Sequence, residues 1–153
     1  MTNAESTIAQ YRHSASVMGF DFGSQKMGMA IGQSITGTAS PLPLVAMKDG
    51  IPQWESLLAI VSQWRPALCV VGLPLNMDDS ESELSLRARK FARRLRHFSQ
   101  IPVVMVDERL TTQEAREHLK HKEKTGKNRT AADSVAAMLL VESWFREMEG
   151  VLP

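Results

Sequence analysis

Apolar and polar positions alternate along two neighbouring stretches, 17–23 and 26–32, which predicts two strands joined by a tight turn. In the first, Met18, Phe20 and Phe22 share one face, and Val17, Gly19, Asp21 and Gly23 share the other. In the second, Met27, Met29 and Ile31 oppose Gly28, Ala30 and Gly32. Residues 38–47 read as a third strand, and Pro41 and Pro43 put it at an edge because neither can donate to a ladder. The period then turns helical. Trp54, Leu57, Leu58, Val61 and Trp64 form one stripe of a helix over 52–65, which Pro66 ends. The unbroken apolar run 67–73 predicts a strand buried on both faces.

A second helix over 81–99 presents Leu84, Ala88, Phe91, Leu95 and Phe98 as its seam, and a short strand over 102–106 leads into Asp107, Glu108 and Arg109. Thr111, with Glu114 three residues on, has the form of a capping box opening another helix. Residues 120–129 form a polar, basic loop, and 130–148 form the last helix. Three strands followed by alternating helix and strand predict an α/β domain over 16–149, with strands one, four and five parallel. Residues 1–15 are polar and read as a flexible tail.

Composition narrows this picture. The 153 residues suit one domain. The single cysteine, Cys69, lies in the apolar run, so it reads as a small buried hydrophobe; it excludes an internal disulfide and a cysteine-based zinc cage. No apolar run approaches the ~18 residues of a membrane span, and the N-terminal stretch lacks the apolar segment of a signal peptide. No membrane association and a cytoplasmic location are expected. The formal net charge of +1 supplies no global basic field, so any nucleic acid must be held by local patches.

Three acids carry candidate chemistry. Asp21 is a carboxylate in a central strand, costly there without a partner or a metal. Its neighbours Gly19, Gly23, Gly28, Ala30 and Gly32 leave a patch with almost no side-chain bulk. A phosphate or metal can approach such backbone; equally, a helix can pack closely on it while Asp21 bonds turn amides. Asp107 and Glu108 sit at the carboxyl end of a parallel strand, where open α/β sheets place their sites; taken alone, they read more simply as solvated loop acids, with Glu108 paired to Arg109. Adjacent strand residues point to opposite faces, so one of the two is expected on the side of Asp21. Asp133 shares a helix face with Ala136, Ala137, Leu140 and Trp144, so it points inward. Thr130 to Asp133 also fits a capping box, which would account for the acid without chemistry. Convergent carboxylates with no histidine or cysteine among them favour a hard cation, Mg²⁺ or Mn²⁺, suited to phosphodiester hydrolysis.

The cations fall in two groups. Arg87, Arg89, Lys90, Arg93, Arg94 and Arg96 lie within ten residues that contain no acid, and Lys120, Lys122, Lys124, Lys127 and Arg129 crowd the loop before Asp133. Some are snorkelling side chains of a solvated face; the unbroken sign also suits contact with a phosphate backbone. Lys26, Arg87, Lys90, Arg94, Arg109, Lys124, Lys127 and Arg129 are the candidate nucleic-acid contacts. His13, His97, His118 and His121 show no pairing with an acid that would hold a metal and read as surface residues. Gly23 to Gly28 has the glycine spacing of a P-loop, but Met29 and Ala30 stand where lysine and serine or threonine are needed.

Four ordered motifs then coincide: Phe20-Asp21-Phe22-Gly23 followed by Met27-Gly28-Met29-Ala30; Val71-Gly72-Leu73-Pro74-Leu75-Asn76; Asp107-Glu108-Arg109-Leu110-Thr111-Thr112; and Asp133-Ser134-Val135-Ala136-Ala137. Together they resemble the YqgF family, the bacterial Holliday-junction-resolvase-like proteins also described as pre-16S rRNA nucleases. The resemblance runs from about Val17 to the last helix. It implies an RNase H-like fold with a five-stranded mixed sheet in the order 3-2-1-4-5, strand two antiparallel. It also implies a metal-dependent nuclease site of Asp21, Glu108 and Asp133, with Asp107 as the alternative to Glu108. The expected function is hydrolysis of RNA in 5′-end maturation of pre-16S rRNA by a monomer or weak homodimer. Resolution of four-way DNA junctions, which needs a dimer, and a non-catalytic nucleic-acid-binding module are the alternatives. An actin-like ATPase or sugar kinase needs a second phosphate loop in a duplicated domain, and the chain has no repeat.

Overall fold

The structure, a computed structural model, describes residues 15–23, 25–74, 76, 78, 80–108, 134–147 and 153. Strands β1 (Ser16–Asp21), β2 (Lys26–Gln33) and β3 (Thr38–Lys48) form an antiparallel meander. A two-residue strand β4 (Ile51–Pro52) follows, then helix α1 (Trp54–Trp64), β5 (Leu68–Leu73), α2 (Glu83–Ser99), β6 (Val103–Asp107) and α3 (Val135–Glu147). The sheet runs β4-β3-β2-β1-β5-β6, with β1, β5 and β6 mutually parallel. The expected order and strand directions hold.

The strand count is six and not five. Asp49 and Gly50 have φ of 53° and 79°, so the chain reverses in two left-handed residues and pairs Met47 with Pro52 and Lys48 with Ile51. This is the tight hairpin geometry that an Asp-Gly pair favours. Pro52 therefore belongs to a strand, and α1 starts two residues later than expected. The prolines of β3 lie where an edge tolerates them. Pro41 falls outside the β4 pairing, and Pro43 sits in a bulge where Met27 pairs with Val45 but Met29 with Leu42.

Strand alternation sorts the core onto the two faces of the sheet. Met18, Phe20, Met27 and Met29 meet Leu57 of α1 and Phe91 and Leu95 of α2. Val17, Ala30, Val70 and Val104 meet Ala137, Leu140 and Trp144 of α3. The α2 seam is rotated from its expected position: Ser85 and Ala92 are buried, whereas Leu84 and Phe98 are exposed. Trp64 of the α1 stripe is also exposed, since α1 ends there and Arg65 turns away with φ 46°.

The small-residue patch beside Asp21 is mostly filled. A Cβ on Gly19 would lie 2.5 Å from Val141 Cγ2 and 2.7 Å from the Ala137 carbonyl oxygen, and a Cβ on Gly32 would lie 2.6 Å from Val141 Cγ1. Close packing of α3 accounts for both glycines. Polar anchors then fix the ends of the helices. Ser82 and Ser85 form a reciprocal capping box at the start of α2, and the buried Ser85 hydroxyl also donates to the Pro74 carbonyl just past β5. The buried Ser134 hydroxyl donates to the Leu42 carbonyl at 2.9 Å, tying the entry of α3 to β3.

Candidate active site

Asp21 is the last residue of β1, half-buried, opposite Gly28 of β2. It follows Val17 and Gly19 in alternation, so it lies on the α3 face. On the parallel side, Phe20 is in register with Val71, which sets Gly72 beside Asp21. Gly72 interrupts a fully buried strand of larger apolar residues. The space a side chain would fill there is taken by others: a Cβ would lie 2.7 Å from Glu108 Oε1, 2.9 Å from Leu140 Cδ1 and 3.1 Å from Glu108 Cγ.

That close approach separates the two adjacent acids. Glu108, just past β6, continues the side of Val104 and Val106, and its carboxylate lies over Gly72 on the α3 face. Asp107 follows Val103 and Met105, which pack against the other face, and is in register with Leu73. Asp21 and Glu108 therefore share one face at the carboxyl ends of parallel strands that flank Gly72. Asp133, Arg109, Lys124, Lys127 and Arg129 lie outside the described residues, as do the helix expected after Thr111 and residues 1–14 of the expected tail, whose last residue, Ala15, is bonded to Ser34 through its backbone. Ser134, directly after Asp133, is buried and bonded to Leu42 on the α3 side of the sheet.

The candidate phosphate contacts divide in the same way. Lys26 opens β2, is exposed, and alternates with Gly28 and Ala30, so it belongs to the face of Asp21. Arg87, Lys90 and Arg94 stand on α2, against the opposite face. Arg87 pairs with Glu83 at 2.9 Å, and Arg89 pairs with Glu81. The acids that neutralise part of the basic run thus lie just before it, outside the acid-free stretch.

Oxygen donors without nitrogen or sulphur suit a hard divalent cation, and two carboxylates on one face at the ends of nearby strands gain from a cation that both can approach. Among the described residues no group of three His, Cys, Asp or Glu side chains is arranged to hold a metal, so such a site needs a ligand beyond them. Gly72 is the residue to which the sequence pattern alone assigns no role. A signal for it exists, since a lone glycine in a buried strand marks a close approach.

The sequence profile described as "RuvX: Holliday junction resolvase" matches residues 15–147. The chain belongs to the RuvX family. A protein of Acinetobacter baylyi named "Putative pre-16S rRNA nuclease" is 61% identical over 138 residues, covering 90% of this chain and 94% of its own. One of the same name from Hahella chejuensis is 52% identical, covering 85% and 83%. Among solved structures, Thermus thermophilus RuvC in complex with a Holliday junction substrate aligns with a TM-score of 0.59 at 15% identity, over 89% of this chain and 98% of that one. The fowlpox virus resolvase bound to junction DNA aligns with a TM-score of 0.56 at 12% identity, over 87% and 98%. The fold of this RuvX chain is thus the RNase H-like resolvase fold. Among the described residues no helix is long and apolar enough to cross a membrane.

Proposed function

We propose that this protein is a divalent-metal-dependent endonuclease that hydrolyses RNA in 5′-end maturation of pre-16S rRNA, with Asp21, Glu108 and Asp133 as its catalytic carboxylates and the ligands of Mg²⁺ or Mn²⁺. The observation that carries the site is that Asp21 and Glu108 share one sheet face on either side of Gly72, the only position of β5 that lacks a side chain, with Glu108 lying over it. Relatives of high identity and near-complete coverage, bearing the pre-16S rRNA nuclease name, support the substrate. A cytoplasmic location follows from that substrate.

The divalent ion, when bound, supplies positive charge at the phosphodiester oxygens and makes water more acidic. The chain's own part is orientation. β1 and β6 fix two carboxylates at strand ends, α3 packs on the same face of the sheet, and Gly72 leaves room for the Glu108 carboxylate to lie against the sheet. No side-chain general base is required. Lys26, exposed on the same face, is suited to hold a flanking phosphate.

Purified protein incubated with a pre-16S rRNA fragment tests this. Cleavage should require Mg²⁺ or Mn²⁺, stop with chelator, and vanish in Asp21→Asn while the variant melts near the wild-type temperature. Full activity of that variant would sink the site. A second reading, resolution of four-way DNA, is favoured by the family description and by the junction complexes of the structural neighbours. It predicts a dimer in solution that prefers junctions to single-stranded RNA; the leading reading predicts the reverse preference.

A further inference from the structure

A second charged feature lies on the sheet face turned away from the carboxylates. Arg87, Lys90 and Arg94 are spaced three and four residues apart on α2, which puts them on one side of the helix. With Asp49 of the β3–β4 turn and Trp54 of α1, they line a cavity of about 150 Å³. Three cations face one carboxylate there. Arg87 is steadied by Glu83, whereas Lys90 and Arg94 make no ion pair among the described residues. Pockets for small molecules start at roughly 300 Å³, so this cavity is too small for a free nucleotide but holds a single phosphate group.

Its position matters as much as its charge. A Cβ on Gly50 would lie 3.4 Å from Phe22 Cζ and 3.6 Å from Arg87 Cδ. Phe22 directly follows Asp21, so the cavity sits at the same end of the sheet as the carboxylates, on the reverse face. We infer that it is a backbone-phosphate subsite: it grips a phosphate of the substrate strand away from the bond that is cut, as the strand passes around the end of the sheet. This rests on the nuclease reading above and adds to it a second, remote point of attachment.

The test is binding of a labelled single-stranded RNA to the full chain, by fluorescence anisotropy in chelator across a range of salt concentrations. The double variant K90Q/R94Q is compared with R65Q/R146Q, which removes the same charge elsewhere. Loss of one neutralised phosphate should flatten the dependence of log Kd on log salt by about 0.7, so K90Q/R94Q should reduce the slope by that amount and bind roughly tenfold more weakly at low salt. K90R should keep the wild-type slope. Equal affinity and slope in the two double variants would overturn the subsite. Wild-type protein that binds with the expected contrast but does not cleave when metal is added would leave the subsite standing and refute the activity. Protein that binds no RNA would refute both.

Discussion

Glu108 occupies the space that a side chain at Gly72 would fill, with its Oε1 atom 2.7 Å from where a Cβ would stand. The other near atoms are the terminal Cδ1 of Leu140 and Glu108 Cγ, so every obstacle belongs to a flexible side chain and none to backbone. Gly72→Ala should therefore fold. Its stability cost should be modest, about 1–3 kcal/mol for one added methyl. Glu108 must swing aside, however, and misplacing a catalytic group by about 1 Å costs on the order of 100-fold in rate. Parallel measurement of thermal unfolding and RNA cleavage checks this; full cleavage by Gly72→Ala would show that the Glu108 position is not critical.

The opposite orientations of Asp107 and Glu108 give a second expectation. Glu108→Gln should lower cleavage by about 100-fold or more, as loss of charge stabilisation at the reacting phosphate does. Asp107→Asn, on the other face, should change the rate by less than about fivefold. Side-by-side kinetics at saturating metal decide it, and the reverse ranking would assign the site to Asp107.

Ser134 ties the entry of α3 to Leu42 through a buried hydrogen bond of 2.9 Å. Ser134→Ala leaves that carbonyl without its donor, which costs about 1–3 kcal/mol. The midpoint of urea unfolding should fall accordingly. Because Asp133 is the preceding residue, activity should drop by more than the loss of folded protein explains at a temperature where the variant is fully native. Activity that tracks only the folded fraction would count against Asp133 as a ligand.

Cys69 is fully buried in β5, and burial pushes its thiol pKa up, because the thiolate would be stranded in an apolar core. Nucleophilic thiol chemistry needs the thiolate, so raising the pKa suppresses it at neutral and mildly alkaline pH. The native protein should be inert to an aromatic disulfide reagent and react with one equivalent after denaturation. Rapid reaction of the native protein would mean that β5 opens readily.

Local pattern was enough to define the strands that build the site. The alternation in β1, β2 and the apolar run of β5 put Asp21 on the face opposite Phe20 and Phe22, and those faces are the ones found. Two crossovers also carried the parallel direction of β1, β5 and β6, whereas the order of the sheet came from the family resemblance and is the one found. Three features needed the tertiary structure. The hairpin at Asp49 and Gly50 depends on a strand of only two residues, too short for any periodicity to reveal. The rotation of the α2 seam reflects Ser85, a polar residue buried because it bonds both its own helix start and Pro74. The small residues around Asp21 could equally admit a phosphate or a helix until α3 was seen to fill Gly19 and Gly32 and leave Gly72 to Glu108. Sequence determined which residues could be ligands, since charge and strand period are local properties. Only the packing of Glu108 and of Leu140 from α3 over one glycine decided which acid shares the face of Asp21.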